Sequence, residues 1–256
     1  MIFKKKKFGQ HFLNDKNIAN KIIAGLSNPI NGIVLEVGPG DGVLTQILSE
    51  RFDQNLYLVE IDAELVSLLN EKFPALQGQI LNIDFLELNL KEKFNQNISV
   101  IGNFPYNISS QILFKVIEYR ENIVEMVGMF QKEVAKRICS GPGSKEYGIL
   151  SVLTQTFFHT HYLFSVSKNV FSPPPKVESG VIRLERKVNF KLDCNEKLFQ
   201  TIVKLSFQQR RKTLRNSLAS IINSHKNTNL PSQEIFSKRP EELGFDEFIS
   251  LTKLLS

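Results

Sequence analysis

Between residues 32 and 130 the chain repeats one unit, a short apolar run followed by a stretch whose apolar residues recur at helical spacing. "GIVLEVG" (32–38), "LYLVEID" (56–62), "QILNID" (79–84), "ISVIGN" (98–103) and "IVEMVGMF" (123–130) read as buried strands. Val43, Leu44, Ile47 and Leu48 share a helical face after the first strand, and Leu65, Leu68, Leu69 and Phe73 share one after the second. Ile112, Leu113, Val116 and Ile117 do the same after the fourth. Such alternation leaves few architectures open, and it predicts an α/β fold with a parallel, doubly wound sheet. "HYLFSV" and "SGVIRLE" are candidates for later strands, and Ile18, Ile22 and Leu26 mark a short helix ahead of the first. From about residue 188 the strand signal stops. Leu198, Ile202 and Leu205, then Leu214, Leu218 and Ile221, keep helical spacing only. The expected division is an α/β domain over 1–187 and a small all-helical C-terminal domain over 188–256.

With 256 residues, 42% of them hydrophobic, the chain can bury a sizeable core. It has no run of 18 apolar residues, which argues against a membrane span. Its basic start, "MIFKKKKFGQ", is not followed by the apolar stretch of a signal peptide. Cys139 and Cys194 stand apart with no metal or redox spacing, so a reduced, cytoplasmic setting is expected. His159 and His161 alternate as on a strand but have no third ligand at suitable spacing, so no metal is expected. The net charge of +6 is uneven: residues 188–256 hold 11 Lys/Arg against 7 Asp/Glu, and Lys4–Lys7 form a second cluster. Two basic ends fit a polyanionic partner such as RNA or DNA, although a solvated charge run gives the same pattern.

"LEVGPGDG" (35–42) places Gly38, Gly40 and Gly42 directly after the first strand. Glycines there let backbone N–H groups approach a ligand, though the same spacing serves a dinucleotide site or a plain tight turn. Glu60 ends the second strand, where an acid accepts from ribose hydroxyls, and Asp84 ends the third, where one can accept from an adenine amine. Taken singly, either acid could instead cap a helix. In an open α/β sheet these strand ends share one crevice. Glu36, inside the first strand, is expensive to bury without a partner. It would repel a pyrophosphate and suit a sulfonium with an ammonium group, which favours S-adenosylmethionine over NAD.

The fourth strand ends in "VIGNFPYNIS" (100–109). Proline cannot extend a ladder, so Asn103, Pro105 and Tyr106 stand at the crevice. An exocyclic base amine is a poor nucleophile because its lone pair is delocalised into the ring. The Asn103 amide oxygen, with a backbone carbonyl held rigid by Pro105, can accept both N–H bonds and aim the lone pair at a methyl group. Tyr106 offers a ring for a base drawn out of its stack. Catalysis of that kind is positioning and electrostatics.

N-[FL]-P-Y after E-x-G-x-G resembles the class I (Rossmann-like) adenine-N6 methyltransferases. Three further stretches narrow the likeness to the small-subunit ribosomal RNA adenine dimethyltransferases, the kasugamycin-resistance family. "KKFGQHFLND" (6–15) is similar to that family's N-terminal motif, "FSPPPKVES" (171–179) to its proline-rich loop, and "FQQRRKTLRNSL" (207–218) to its basic signature. The resemblance runs in order from about residue 6 to 218. It implies that Gln10, His11 and Leu13 line the methionine end of the cofactor; Glu36, Gly38, Gly40, Glu60, Asp84 and Asn103 complete the expected cofactor site. It implies that Phe171 covers the target base from its other face. The run Arg210, Arg211, Lys212 and Arg215 reads as a phosphate contact rather than merely the wet face of a helix. The implied reaction puts two methyl groups on each of two adjacent adenines near the 3′ end of small-subunit rRNA, within an immature subunit, and a monomer is expected. An erythromycin-resistance type methyltransferase of large-subunit rRNA would share the catalytic part and differ in the tail. A non-catalytic RNA-binding assembly factor would not need the N-F-P-Y turn, and an NAD-dependent oxidoreductase would leave that turn and the basic tail unexplained.

Overall fold

The computed structural model describes residues 11–27, 32–188, 190–224 and 232–256; Gln10 and the Lys4–Lys7 cluster lie outside them. In chain order the first elements are β1 (Phe12–Leu13), α1 (Lys16–Ala24), β2 (Gly32–Val37), α2 (Val43–Phe52), β3 (Leu56–Glu60), α3 (Ala63–Lys72) and β4 (Ile80–Asn82). Then come α4 (Leu90–Lys93), β5 (Asn97–Asn103), α5 (Ser109–Glu118), β6 (Ile123–Gln131), α6 (Lys132–Cys139) and α7 (Ile149–Phe157). The strands β7 (Phe158–Val166), β8 (Phe171–Ser172) and β9 (Ser179–Arg186) precede α8 (Glu196–Gln208), α9 (Leu214–Ser217), α10 (Ala219–Ser224) and α11 (Phe245–Leu254).

Seven strands form one sheet in the order β4-β3-β2-β5-β6-β9-β7. β4 through β6 pair in parallel, and β9 pairs antiparallel to β6. Every residue of β2 is buried, as expected of a central strand covered on both faces. Side-chain caps fix where the helices start. Asp15 accepts from the Asn17 and Ile18 amides, Asp62 from Glu64, and Asn195 from Leu198. The strand order reverses between β2 and β5, so a crevice opens at their carboxyl ends. A second, two-stranded sheet has no counterpart in the sequence pattern: β1 pairs antiparallel with β8, Phe12 opposite Ser172 and Leu13 opposite Phe171.

The chain divides into two compact units, one running up to Ala135 with His159–Arg186, the other made of Lys136–Phe158 and Lys187–Ser256. This corrects the expected 1–187 domain, because Lys136–Phe158 belongs with the tail. The segment is tied there by hydrogen bonds: Tyr147 Oη donates to the Leu243 carbonyl (2.9 Å) and the Gly143 amide to that of Glu241 (2.7 Å). Val152, Leu153 and Phe157 of α7 are buried. An apolar helix between two strands looks like one more crossover, and nothing local marks it as part of another core. No helix among the described residues is long and apolar enough to cross a membrane.

Candidate active site

The turn after β2 carries Gly38, Gly40 and Gly42 at φ of 69°, 60° and 84°, the left-handed region that suits glycine. A Cβ at Gly40 would come within 2.8 Å of the Phe12 ring, so β1 can lie directly over the turn only because Gly40 has no side chain. A Cβ at Gly38 would meet nothing nearer than Pro105 Cδ at 3.9 Å. The glycine N–H groups, expected to approach a ligand, are instead engaged within the protein. Gly38 donates to the Val59 carbonyl (2.9 Å), Gly40 to Glu60 Oε2 (3.4 Å) and Gly42 to the Pro39 carbonyl (2.9 Å). A pyrophosphate would therefore find no cradle of free glycine donors, which weighs against a dinucleotide.

Three acids surround this turn, and all line one cleft. Glu36 is 1% exposed and its Oε2 accepts from Thr45 Oγ1 (2.7 Å), tying β2 to α2 beneath the turn. Burial pushes its pKa up to about 8, and the Thr45 hydrogen bond only partly offsets that. Glu60 accepts from the Asp62 amide (3.0 Å) as well as from Gly40; burial raises its pKa, while these backbone donors pull the other way. The Ile61 amide is a third backbone donor to this carboxylate, which keeps acceptor capacity for one hydroxyl. Asp84 Oδ1 accepts from the Leu86 amide (2.8 Å), holding a loop that Lys115 Nζ secures by donating to the Leu86 carbonyl (2.8 Å). Ile61, Ile83 and Phe85 supply apolar walls beside these acids, and Phe12 lines the cleft next to the glycines. Sequence reasoning missed these four. The available signal was an apolar residue directly beside each strand-end acid, and Ile61 is left 46% exposed.

Asn103, Pro105 and Tyr106 line the same cleft and are half-buried. Asn103 Nδ2 donates to the His11 carbonyl (2.8 Å). A carbonyl can only accept, so this contact fixes which end of the amide faces it and leaves Oδ1 on the opposite side. The His11 ring donates through Nδ1 to the Pro173 carbonyl (2.8 Å) and lies against Tyr106, with centroids 5.7 Å apart and planes 31° apart. The Tyr106 hydroxyl meets Ser179 Oγ at 2.6 Å, and burial raises its pKa. His11 thus joins three stretches that are far apart in sequence: the N-terminal motif, the N-F-P-Y turn and the proline-rich loop.

His11 and Leu13 reach the cleft as expected, whereas Gln10 is outside the described residues. Phe171 does not line the cleft. It pairs with Leu13 in the small sheet, is 4% exposed and packs in the core, so the expectation that it covers a base is corrected. An aromatic ahead of three prolines reads as a loop residue, but strand pairing turns it inward. In the helical unit, Arg210 donates to the carbonyls of Lys145 (2.6 Å) and Ser144 (2.9 Å), committing its guanidinium to that turn. Arg211, Lys212 and Arg215 are exposed. His159 and His161 are exposed on β7, and among the described residues no cluster of His, Cys, Asp or Glu could hold a metal ion.

Comparison with known proteins agrees with this geometry. A relative from Flavobacterium johnsoniae, "Ribosomal RNA small subunit methyltransferase A", is 54% identical over 250 residues, 97% of this chain and 94% of the relative. The crystal structure of a dimethyladenosine transferase from Plasmodium falciparum superposes with a TM-score of 0.80 at 26% identity, covering 94% of this chain and 96% of that one. That of the 23S rRNA methyltransferase ErmE gives 0.68 at 25% identity, covering 94% and 99%. The sheet order, with β9 antiparallel to β6, is accordingly that of a class I, Rossmann-like methyltransferase. The model of the ribosomal RNA adenine dimethylases matches residues 2–253, and the chain, with its acid-lined cleft and its amide held at the strand end, belongs to that family.

Proposed function

We propose that this protein binds S-adenosylmethionine in the acid-lined half of the cleft and dimethylates the N6 amines of two adjacent adenines near the 3′ end of small-subunit rRNA. The donor set fits that cofactor: the acids provide acceptors for ribose hydroxyls and for an amine, and the walls beside them are apolar. Glu60 would hold the ribose, Asp84 with Phe85 and Ile83 the adenine ring, and His11, Leu13 and Gly38 the methionine end. When bound, the cofactor supplies an electrophilic methyl group. In the first transfer Asn103 Oδ1 and the Phe104 carbonyl, made rigid by Pro105, accept the two N–H bonds of the target amine and hold its lone pair out of conjugation with the ring. In the second, one of them holds the single N–H that remains, and each transfer releases one amine proton to solvent. The Pro105 carbonyl already accepts from the Ile108 amide (3.2 Å), so it is the less suitable acceptor. Tyr106 carries the extruded base on its ring, the hydroxyl being anchored by Ser179.

One observation carries this reading: the Asn103 amide is fixed by the His11 carbonyl so that its oxygen is free to accept beside the acids. The relatives' name, small-subunit methyltransferase, directs the substrate to that rRNA rather than to 23S rRNA. The substrate is an immature subunit, the protein acts as a monomer in the cytoplasm, and Arg211, Lys212 and Arg215 contact phosphates. The test is incubation with labelled cofactor and immature small subunits, followed by mass spectrometry of the nucleosides. Label in N6,N6-dimethyladenosine supports the reading; no label there, or label in large-subunit rRNA offered in a parallel incubation, overturns it.

A further inference from the structure

Phe104 differs from its neighbours in the N-F-P-Y turn. It is 1% exposed, and its ring meets Phe130 edge-on, with centroids 5.4 Å apart and planes 76° apart. Under the ring lie two glycines on neighbouring strands, Gly102 of β5 and Gly128 of β6, directly opposite each other in the ladder. A Cβ at Gly128 would lie 2.2 Å from Phe104 Cε2, 2.9 Å from Cδ2 and 3.0 Å from Cζ. One at Gly102 would lie 2.7 Å from Phe104 Cε1 and 2.5 Å from the Val37 carbonyl oxygen. The ring occupies the space that two side chains would otherwise fill.

Glycine inside a strand weakens it relative to alanine, because it has no side chain to pack and more backbone freedom to lose. Two facing each other at the centre of a parallel sheet call for a reason, and the Phe104 ring supplies it. We propose that Gly102 and Gly128 form a slot for Phe104, and that this plug positions the two amine acceptors, Asn103 Oδ1 on one side of it and its own carbonyl. The three glycine and phenylalanine residues are thus positioning residues, acting through Asn103 and the Phe104 carbonyl. The inference rests on the proposed function, in which these acceptors seat the target amine. Acceptors of this kind must be held to within about 0.5 Å, and a misplacement of about 1 Å costs on the order of 100-fold in rate. A methyl group at Gly128 would force the ring to move by about that much, because unstrained carbon contacts lie at about 3.5–4.0 Å. The acids that hold the cofactor are on β2, β3 and the loop after β4, and none of the clashes at Gly128 involves them. The slot therefore acts on the transfer step and spares cofactor binding.

The experiment compares wild type, Gly128→Ala, Phe104→Leu and the double variant by cofactor titration calorimetry, thermal melting and single-turnover methylation of immature small subunits. Gly128→Ala is expected to slow transfer by roughly 30- to 100-fold while cofactor Kd stays within about 3-fold. Adding Phe104→Leu, which removes the clashing ring atoms, is expected to recover at least about 10-fold of that loss. A merely structural defect would lower Tm and cofactor affinity together and would gain nothing from a smaller side chain at 104. If Gly128→Ala does not fold, Phe104→Leu alone decides: a rate well below wild type with normal cofactor Kd supports the slot. The slot is overturned by a wild-type transfer rate in Gly128→Ala or Phe104→Leu, or by a folded double variant no faster than Gly128→Ala. A wild-type protein that binds cofactor yet methylates no adenine overturns the functional reading itself, a result distinct from any of these.

Discussion

The turns that end β2 and β5 stand side by side at the point where the sheet order reverses, yet they are held by different means. The first is a local construction. Three left-handed glycines set its path, Thr45 meets Glu36 nine residues on, and Glu60 meets the Gly40 amide twenty residues on. The second depends on distant partners: the His11 carbonyl, 92 residues away, holds Asn103, and Ser179, 73 residues away, holds Tyr106. In the proposed reading, the first turn binds a cofactor of fixed shape through acid acceptors and backbone shape, which residue type alone can encode. An amine that must be aligned for transfer needs position, and position comes from packing on other parts of the fold.

The sharpest way to break this division is Asn103→Ala. In the proposed reading its amide oxygen accepts from the target amine, while its amide nitrogen donates to the His11 carbonyl and not to the acids, so transfer should fall by at least about 10³-fold. Cofactor affinity, read by calorimetry, should stay within a few-fold; a matching loss in both would show that the two turns are one device.

Glu36 tests the other turn through pH. Its pKa, raised by burial to about 8, exceeds the ordinary 4.5, so between those values the native state holds a proton that the unfolded state releases. Stability therefore falls as pH rises through that window, by on the order of a few kcal/mol in total. Glu36→Gln keeps the acceptor for Thr45 and removes the titration, so its Tm should vary less between pH 5 and pH 9 than that of wild type. Equal slopes would mean that the carboxyl does not carry the pH dependence.

Glu60→Ala removes the acceptor proposed for ribose and also the partner of the Gly40 amide, so cofactor Kd should weaken by about 10- to 100-fold. At saturating cofactor the transfer rate should recover. A rate that stays low at saturation would tie Glu60 to alignment rather than to binding.

The basic run in the helical unit repeats the contrast on a smaller scale. Arg210 is fixed to the Ser144 and Lys145 carbonyls, whereas Arg211, Lys212 and Arg215 are exposed. Neutralising the exposed three should reduce the magnitude of the log–log salt slope for subunit binding by about 2, at about 0.7 for each phosphate that is no longer neutralised. Arg210→Ala should lower Tm with a smaller change in slope. If the slope change were the same in both variants, Arg210 would be reaching phosphate despite its carbonyl partners.

What can be read from the sequence follows the same line. The strands β2 to β6, the helices α2, α3 and α5, the glycine turn, Glu36, Glu60, Asp84 and the N-F-P-Y turn are all legible, because each is marked by local periodicity or residue type, whereas the four-residue α4 is too short to show a period. What escapes depends on long-range pairing. β1 and β8 are two residues each and exist only through each other. The burial of Phe171 follows from that pairing, and the membership of 136–158 in the second unit follows from hydrogen bonds to residues near 241–243. That the glycine amides are already engaged cannot be inferred from a motif, since the acceptors come from β3 and Pro39.

The smallest expected effect probes the far edge of the second turn. Ser179 is fully buried at the start of β9, and its hydroxyl is 2.6 Å from that of Tyr106. Tyr106 lies against the His11 ring as well, so losing the hydroxyl partner leaves its ring confined but free to tilt. Ser179→Ala should therefore slow transfer by only about 2- to 10-fold, the range set by one neutral hydrogen bond of about 0.5–1.5 kcal/mol. Tyr106→Phe should cost a similar factor if its hydroxyl serves only this partner. The double variant then separates two roles for the tyrosine. A combined loss no larger than either single loss means the hydroxyls act on one another, and that the ring alone meets the base. A multiplicative loss means that the Tyr106 hydroxyl has work apart from Ser179. That would place a polar contact to the substrate on the same side of the crevice as Asn103, and the second turn would then recognise its ligand by chemistry as the first does, not by packing alone.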